Sequence, residues 1–240
     1  MLHKCKGEII TLDCGCVLER CDECQGHRSI SKCELNTPQP FDPSIRYTSE
    51  MQGVVDGLPR HREICKEFAD ALKVIGHSIP FASPNKASVL DVGAGIGIMA
   101  PLFMAHGYKY EGLEPNDWAA RYIEGAYGVA HKVLYEDFGN DQYGAVVSAH
   151  SLEHVPNAPA MLEKMHNQLL PAGYLYLIVP DDEDLRNPEH TWFFKESTIR
   201  QWLAEVGFIN IKTTMKRVVA HEQFIYCVAQ KPWEVLYAPV

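Results

Sequence analysis

Three glycines in the stretch from Ser88 to Gly97, SVLDVGAGIG, carry the clearest chemical signal in the sequence. Apolar residues first predict a buried strand, the chain then turns through Gly93, Gly95 and Gly97, and an apolar segment after them predicts a helix. Such a turn lets backbone N–H groups near a helix N-terminus approach a ligand closely. Because Ile98 stands where a glycine would be needed, the G-x-G-x-x-G fingerprint of dinucleotide binding is absent.

A carboxylate follows at the end of the next predicted strand, where the segment Tyr108–Leu113 runs into Glu114 and Pro115. An acid about 20 residues beyond a glycine-rich turn can accept hydrogen bonds from both ribose hydroxyls of a nucleoside. Glu114 is therefore predicted to bind the sugar of the ligand that the glycine turn holds.

Three histidines and one glutamate are candidates for acid–base chemistry at the same edge of the predicted sheet. A buried strand at Ala145–Ala149 runs directly into a polar cluster, and a later loop adds one more histidine. Open α/β sheets bind ligands at the carboxyl ends of their strands, and imidazole exchanges protons near neutral pH. The candidate general base is one of the three histidines, with the glutamate as its partner: His150, His154, His190 and Glu153.

Apolar periodicity and turn signals predict the elements that position these residues. Apolar residues at three- and four-residue steps from Arg60 to Ile75 predict an amphipathic helix that ends at Gly76. Three further helices are predicted: Asp117–Tyr127 with Trp118, Tyr122 and Ile123 inward, Met161–Leu170, and Ser197–Val206 with Ser197 as N-cap and Gly207 as stop. Strands are predicted at 129–135 and 174–180, with a terminal antiparallel pair at 208–219 and 221–229.

Three motifs together resemble those of class I S-adenosylmethionine (SAM)-dependent methyltransferases, in their small-molecule branch. They are Asp-x-Gly-x-Gly-x-Gly at 91–97, the acid Glu114 before Pro115, and His-Ser-Leu-Glu-His-Val at 150–155. The resemblance implies an α/β fold in which a Rossmann-like, seven-stranded sheet carries helices on both faces. It also implies SAM as the cofactor, with an acid and an aromatic residue holding the adenine. The implied cofactor-binding residues are Asp91, Gly93, Gly95, Gly97, Glu114, Asp137, Phe138 and His150.

The expected methyl acceptor is a small molecule. A formal net charge of −9 repels phosphate backbones, which disfavours nucleic acid as a partner. The segment Ser148–Ser151 holds neither the Asn/Asp-Pro-Pro-aromatic motif of amino-methylating DNA enzymes nor the Pro-Cys nucleophile of cytosine-C5 enzymes. Two alternatives stay open: a protein or RNA methyltransferase that docks its substrate on the N-terminal segment, and a SAM-binding module without turnover. The acceptor atom and the oligomeric state also stay open.

Six of the eight cysteines lie in the first 33 residues, which favours metal binding over disulfides in a reducing compartment. Two close pairs with four residues between them can supply four thiolates to a tetrahedral, structural zinc ion. The predicted zinc ligands are Cys14, Cys16, Cys21 and Cys24, with Cys5, Cys33, His3 and His27 in reserve.

The chain is predicted to contain three parts. Residues 1–40 form the cysteine-rich segment with a proline-rich linker, residues 41–86 a helical lead-in, and residues 87–240 the methyltransferase domain. A chain of 240 residues can bury one full core, and its 46% hydrophobic content is ordinary for a globular protein. No apolar run reaches the ~20 residues of a membrane helix, and the first residues lack the apolar core of a secretory signal. We therefore expect a cytoplasmic protein without membrane contact.

Overall fold

A computed structural model of this chain describes residues 7–11, 17–22, 26–31, 65–66, 68–70, 73–74, 76, 88–128, 131–132, 142–181, 190–219 and 222–233. Its strands are β1 (Gly7–Thr11), β2 (Val17–Cys21), β3 (His27–Ser31), β4 (Ser88–Val92), β5 (Lys109–Leu113), β6 (His131–Lys132), β7 (Tyr143–Ala149), β8 (Leu169–Pro180), β9 (Trp192–Phe193), β10 (Ile209–Val219) and β11 (Glu222–Gln230). Its helices are α1 (Ala100–Ala105), α2 (Asp117–Tyr127), α3 (Ala158–Asn167) and α4 (Glu196–Val206), with a 3₁₀ turn at Leu152–His154.

Seven of these strands form one mixed sheet in the order β10-β11-β8-β7-β4-β5-β6. Five of them, β4 to β8, pair in parallel, and β11 and β10 extend the sheet antiparallel to β8. The parallel strands all point their carboxyl ends at one edge of the sheet. The glycine turn, Glu114 and His150 follow the strands β4, β5 and β7, so this topology brings them to that common edge.

Helices cover both faces of this sheet. Neighbouring residues of a strand point to opposite faces, and Val89 and Leu90 accordingly belong to two different buried clusters. The Leu90 cluster contains residues of α3 and α4, and the Val89 cluster contains residues of α1 and α2 together with Phe68. Helices on both faces, predicted from the family resemblance, are therefore confirmed.

The first three strands form a second, smaller sheet, the N-terminal ribbon. The strands β1, β2 and β3 pair antiparallel in sequence order, and β3 then pairs with β9, so that His27 lies opposite Phe193. Leu18, in the ribbon, is only 1% exposed, and Cys21 belongs to the same buried cluster as Leu90. The ribbon is thus packed against the rest of the protein.

Most predicted elements are found close to their expected positions. The helix Asp117–Tyr127 is confirmed at both ends, because Asn116 caps its N-terminus and Gly128 adopts the left-handed conformation after its C-terminus. Residues 65–66, 68–70 and 73–74 are helical, and Gly76 has a φ of 69°, as expected of a helix stop. The terminal antiparallel pair is confirmed as β10 and β11.

Some details of the sequence-based prediction were wrong. The helix predicted at Met161–Leu170 begins and ends earlier, because Asn157 caps the Ala160 N–H and because Leu169 already pairs with Tyr143 as the start of β8. The last helix begins at Glu196 instead of Ser197, and its N-cap, Lys195, makes no side-chain cap hydrogen bond.

The inner face of α2 also differs from its prediction. The small residues Ala119 and Ala120 are buried together with Ile123, whereas Trp118 and Tyr122 are half-buried and stack on each other. Small side chains let the helix backbone lie close to the sheet, and the two large rings flank that contact. Among the described residues, no helix is both long and apolar enough to cross a membrane.

Candidate active site

The glycine turn folds tightly against the end of β5. Gly93, Gly95 and Gly97 all have positive φ angles, of 75°, 56° and 76°. The N–H groups of Gly93 and Ala94 both donate to the Leu113 carbonyl oxygen, at 2.8 and 3.2 Å. The turn is therefore fixed to the neighbouring strand before the chain enters α1.

Glu114 lies directly against this turn. Its Oε2 accepts a hydrogen bond from the Gly95 N–H at 2.7 Å, and its Oε1 accepts one from the Asn116 N–H at 2.8 Å. Burial raises the pKa of this carboxyl group, and the two backbone N–H donors partly offset the rise because they stabilise the charged form. The strand-end acid and the glycine turn thus share one crevice, as the sequence predicts.

Asp91 lies below the turn, inside β4. Its side chain is 2% exposed, and its Oδ2 accepts a hydrogen bond from the Tyr110 hydroxyl at 2.5 Å. The pKa of Asp91 is raised to about 7, chiefly by burial; the hydrogen bond from Tyr110 opposes the rise, and the nearby Glu114 carboxylate adds to it. Asp91 therefore links the base of the glycine turn to β5.

These residues fit the nucleoside part of SAM. A carboxylate oxygen has two lone pairs, and each oxygen of Glu114 uses one on a backbone N–H, so acceptor capacity for two ribose hydroxyls remains. The positive-φ glycines present backbone without Cβ atoms beside that carboxylate. Asp137 and Phe138, the residues predicted to hold the adenine, lie outside the described residues.

The predicted acid–base residues come together next to this crevice. Glu153 is buried in the 3₁₀ turn after β7, with its Oε1 atom 3.7 Å from His150 Nδ1 and 3.9 Å from His154 Nε2. The rings of His154 and His190 make an edge-to-face contact with centroids 5.0 Å apart. All four residues proposed for acid–base chemistry therefore form one cluster, which we call the His/Glu cluster (His150, Glu153, His154 and His190).

Two backbone features hold the cluster in place. His150 has a φ of 53°, a left-handed conformation that is uncommon outside glycine, and its N–H donates to the Ile178 carbonyl oxygen of β8. The Thr191 N–H donates to the Glu153 carbonyl oxygen at 2.8 Å, which ties the segment of His190 to the 3₁₀ turn. A strained, doubly anchored loop at a sheet edge is typical of functional sites.

The cluster and the glycine turn lie side by side. β4 and β7 are neighbours in the sheet, with Asp91 opposite Val147, and adjacent strands are about 4.8 Å apart. The chain leaves β4 into Gly93 and leaves β7 into His150 at the same edge. The His/Glu cluster would therefore lie beside a ligand bound at the glycine turn, on the side of β7.

Two contacting residues were missed from the sequence. Tyr110 lies in the middle of β5, where an aromatic residue in a strand reads as ordinary core, yet its hydroxyl is the hydrogen-bond donor to Asp91. Phe224 of β11 packs its ring edge-to-face against His150, with centroids 4.6 Å apart. No local sequence pattern predicts either contact, because Tyr110 and Phe224 each contact a residue from a distant part of the chain.

The predicted zinc ligands are only partly visible. Cys14, Cys16 and Cys24 lie outside the described residues, and Cys21 ends β2 with its side chain 1% exposed. The four-cysteine zinc site therefore stays a prediction.

The glycine turn, the strand-end acid and a polar cluster lie together at the carboxyl ends of the parallel strands, where α/β sheets bind ligands. A search of curated proteins by sequence gave no match. A family model described as a methyltransferase domain matches residues 60–213. The chain therefore belongs to the methyltransferase-domain family.

Solved structures show the same fold. A Burkholderia thailandensis 1,6-didemethyltoxoflavin-N1-methyltransferase, with bound 1,6-didemethyltoxoflavin and S-adenosylhomocysteine, matches with a TM-score of 0.60 and 17% identity over 94% of this chain and 100% of its own. A possible histamine N-methyltransferase from Thermotoga maritima matches with a TM-score of 0.56 and 16% identity over 77% of this chain and 97% of its own.

A longer protein also matches. The Haemonchus contortus phosphoethanolamine N-methyltransferase 2, in complex with SAM, has a TM-score of 0.58 and 12% identity over 70% of this chain. This chain spans about half of that protein, 52% of its length. At these identities the likeness establishes the fold of SAM-dependent methyltransferases.

Proposed function

We propose that this protein transfers the methyl group of SAM to a small-molecule acceptor. The observation that carries the proposal is the 2.7 Å hydrogen bond from the Gly95 N–H to Glu114 Oε2, by which the strand-end acid contacts the glycine turn. In this assignment Glu114 binds the ribose hydroxyls and the glycine turn holds the methionyl end. SAM, when bound, supplies an electrophilic methyl group on a sulfonium that is already a good leaving group.

The residues of the chain then have two tasks, which are to align the acceptor and to exclude water. The His/Glu cluster is our candidate for the acceptor side, because it lies one strand away from the crevice. His154 is 39% exposed on its side chain and can meet an entering acceptor, whereas Glu153 is buried behind it. His150 and His190 complete the candidate set for receiving a proton from the acceptor.

A small acceptor is favoured over a macromolecule by the position of the N-terminal ribbon. β3 pairs with β9, which begins two residues after His190, so the ribbon lies beside the acceptor side of the site. The Trp192 indole N–H donates to the Val155 carbonyl oxygen at 2.9 Å, and the Arg28 guanidinium lies over the Trp192 ring. These contacts support a ribbon that walls the cleft instead of one that extends outward to dock a large substrate.

Zinc binding by the cysteine-rich segment stays part of the proposal, with Cys14, Cys16, Cys21 and Cys24 as the ligands. Metal analysis of the full chain and of the Cys16→Ser and Cys24→Ser variants tests this ligand set. We expect one zinc ion per chain in the wild type and a loss of zinc in both variants. Full zinc content in both variants would contradict the thiolate site.

The test of the proposed function is a transfer assay. The full chain is incubated with methyl-labelled SAM and a panel of small acceptors that carry hydroxyl, amine or ring-nitrogen groups, in parallel with peptide and RNA pools. We expect label in a small acceptor, and at least a tenfold lower rate for the Glu114→Gln variant. The matched control is Glu163→Gln, which changes an exposed acid on α3 and should keep the wild-type rate. Label only in peptide or RNA would overturn the small-molecule assignment.

A further inference from the structure

We propose that Glu153, His154 and His190 bind a divalent first-row transition metal ion, which in turn holds the acceptor. One ligand atom from each of the three residues lies within 4.8 Å of the other two. Ligand atoms about 2.1 Å from one ion are about 3 to 4 Å apart, so small side-chain rotations close the site. Two imidazoles and one carboxylate are a ligand set that suits Zn²⁺, Fe²⁺ and related ions.

The burial of Glu153, together with an unpartnered carboxylate oxygen, is the second observation that points to a cation. Its side chain is 2% exposed, and its buried Oε2 atom has no hydrogen-bond partner. A buried, unpaired carboxylate oxygen costs free energy unless a positive group compensates it. His150 Nδ1 and His154 Nε2 lie 3.7 and 3.9 Å from the other carboxylate oxygen, Oε1, which is too long for a hydrogen bond. A metal ion held by Glu153, His154 and His190 supplies the missing partner of Oε2.

The architecture around the cluster suits a preorganised site. Glu153 and His154 are consecutive in a 3₁₀ turn, and the hydrogen bond from the Thr191 N–H to the Glu153 carbonyl oxygen fixes the His190 segment against that turn. Glu153 and His190 are buried, whereas His154 is partly exposed. The ion would therefore be held from the protein side and would keep open coordination positions toward the cleft.

Three protein ligands leave about three open positions on a six-coordinate ion, which defines a substrate class. This step rests on the proposed function. The acceptor is a small molecule with two neighbouring oxygen atoms, a hydroxyl beside a second hydroxyl or a carbonyl, that chelates the ion. The metal lowers the pKa of the acceptor hydroxyl, and the proton passes to His150, the histidine of the His/Glu cluster that does not bind the ion, or to solvent. The acceptor oxygen then forms the new O–CH₃ bond. The S–CH₃ bond breaks, and a neutral thioether leaves.

The direct test is a titration of the full chain with Mn²⁺ alone. Binding is measured as the loss of the free Mn²⁺ signal in electron paramagnetic resonance. Mn²⁺ favours oxygen and nitrogen ligands, so the cysteines of the N-terminal segment do not compete for it. We expect one equivalent bound, and at least tenfold weaker binding by Glu153→Gln and by His154→Gln. The second variant changes a partly exposed residue and keeps the test valid if the buried variant fails to fold.

Matched controls are Glu163→Gln and His106→Gln, which remove an exposed acid and an exposed histidine elsewhere and should bind like the wild type. No bound Mn²⁺, or equal binding by His154→Gln, would overturn the metal site. A transfer rate unchanged by EDTA would overturn its role in holding the acceptor. Calorimetry with SAM separates the two proposals: SAM binding without Mn²⁺ binding removes only the metal site, and Mn²⁺ binding without SAM binding removes only the methyltransferase assignment.

Discussion

The Tyr110 hydroxyl and the Asp91 carboxylate form a 2.5 Å hydrogen bond between β5 and β4, directly below the glycine turn. Both side chains are buried, and both belong to strands whose ends build the candidate cofactor crevice. Burial raises the pKa of Tyr110 well above its ordinary value, so the phenol stays protonated and acts as the donor. This pair joins the strand that carries the glycine turn to the strand that carries Glu114.

We predict that Tyr110→Phe destabilises the protein. The variant leaves a buried carboxylate without its hydrogen-bond donor, which costs about 1–3 kcal/mol of unfolding free energy. Urea unfolding followed by circular dichroism measures the change. The control is Tyr122→Phe, a half-buried residue that keeps its stack on Trp118 and should change stability by less than ~0.5 kcal/mol. An unchanged midpoint for Tyr110→Phe would show that the bond carries little stability.

The raised pKa of Asp91 predicts a pH dependence of stability. Between about pH 4 and pH 7 the folded protein keeps the Asp91 proton that the unfolded chain has released, so the contribution of this group to stability falls as pH rises toward 7. Asp91→Asn removes the titration. Between pH 5 and pH 7 the wild type should therefore lose on the order of 2 kcal/mol more than the variant. Urea unfolding of both proteins at both pH values measures this difference. If the unfolding free energy of the two proteins changes by the same amount between pH 5 and pH 7, the Asp91 pKa is not raised.

The sequence correctly predicts the contact between the glycine turn and Glu114 because its signals are local. A glycine turn after a strand, an acid at the end of the next strand and caps such as Asn116 act within a few residues of their effect. The C-terminal end of the helix predicted at Met161–Leu170 was wrong, because Leu169 pairs with Tyr143 as part of β8. This pairing joins distant segments and has no local signal. The pairing of β3 with β9 had no local signal either, and it decides where the ribbon lies.

Gly97→Ala is expected to destabilise the glycine turn. Gly97 has a φ of 76°, and a Cβ atom there would lie 2.9 Å from Tyr127 Cε2 and 3.2 Å from Ile123 Cγ1. Backbone strain and this clash together should cost about 1–3 kcal/mol. Gly125→Ala is the matched control, because Gly125 lies within α2 with no atom within 4 Å of an added Cβ, and it should stabilise the helix by about 0.5–1 kcal/mol. Equal stability of both variants would contradict the geometry of the turn.

Leu18→Ala should destabilise the whole protein if the ribbon is part of the fold. Leu18 is 1% exposed, and truncation of a buried leucine costs about 2–5 kcal/mol. Ile9, on β1 of the same ribbon, is 56% exposed, so Ile9→Ala should cost less than ~1 kcal/mol. Both are measured by thermal and urea unfolding of the full chain. If Leu18→Ala leaves the main transition unchanged, the ribbon unfolds independently of the central sheet.

Isothermal titration calorimetry with SAM and with S-adenosylhomocysteine tests the central claim most directly, using the wild type, Glu114→Gln and the control Glu163→Gln. The crevice shared by Glu114 and Gly95 predicts one binding site in the wild type and in the control. Glu114→Gln should bind at least tenfold more weakly, because hydrogen bonds to a charged acceptor contribute about 1.5–3 kcal/mol each. Equal affinity of Glu114→Gln and the wild type, or no binding by the wild type, would contradict the account.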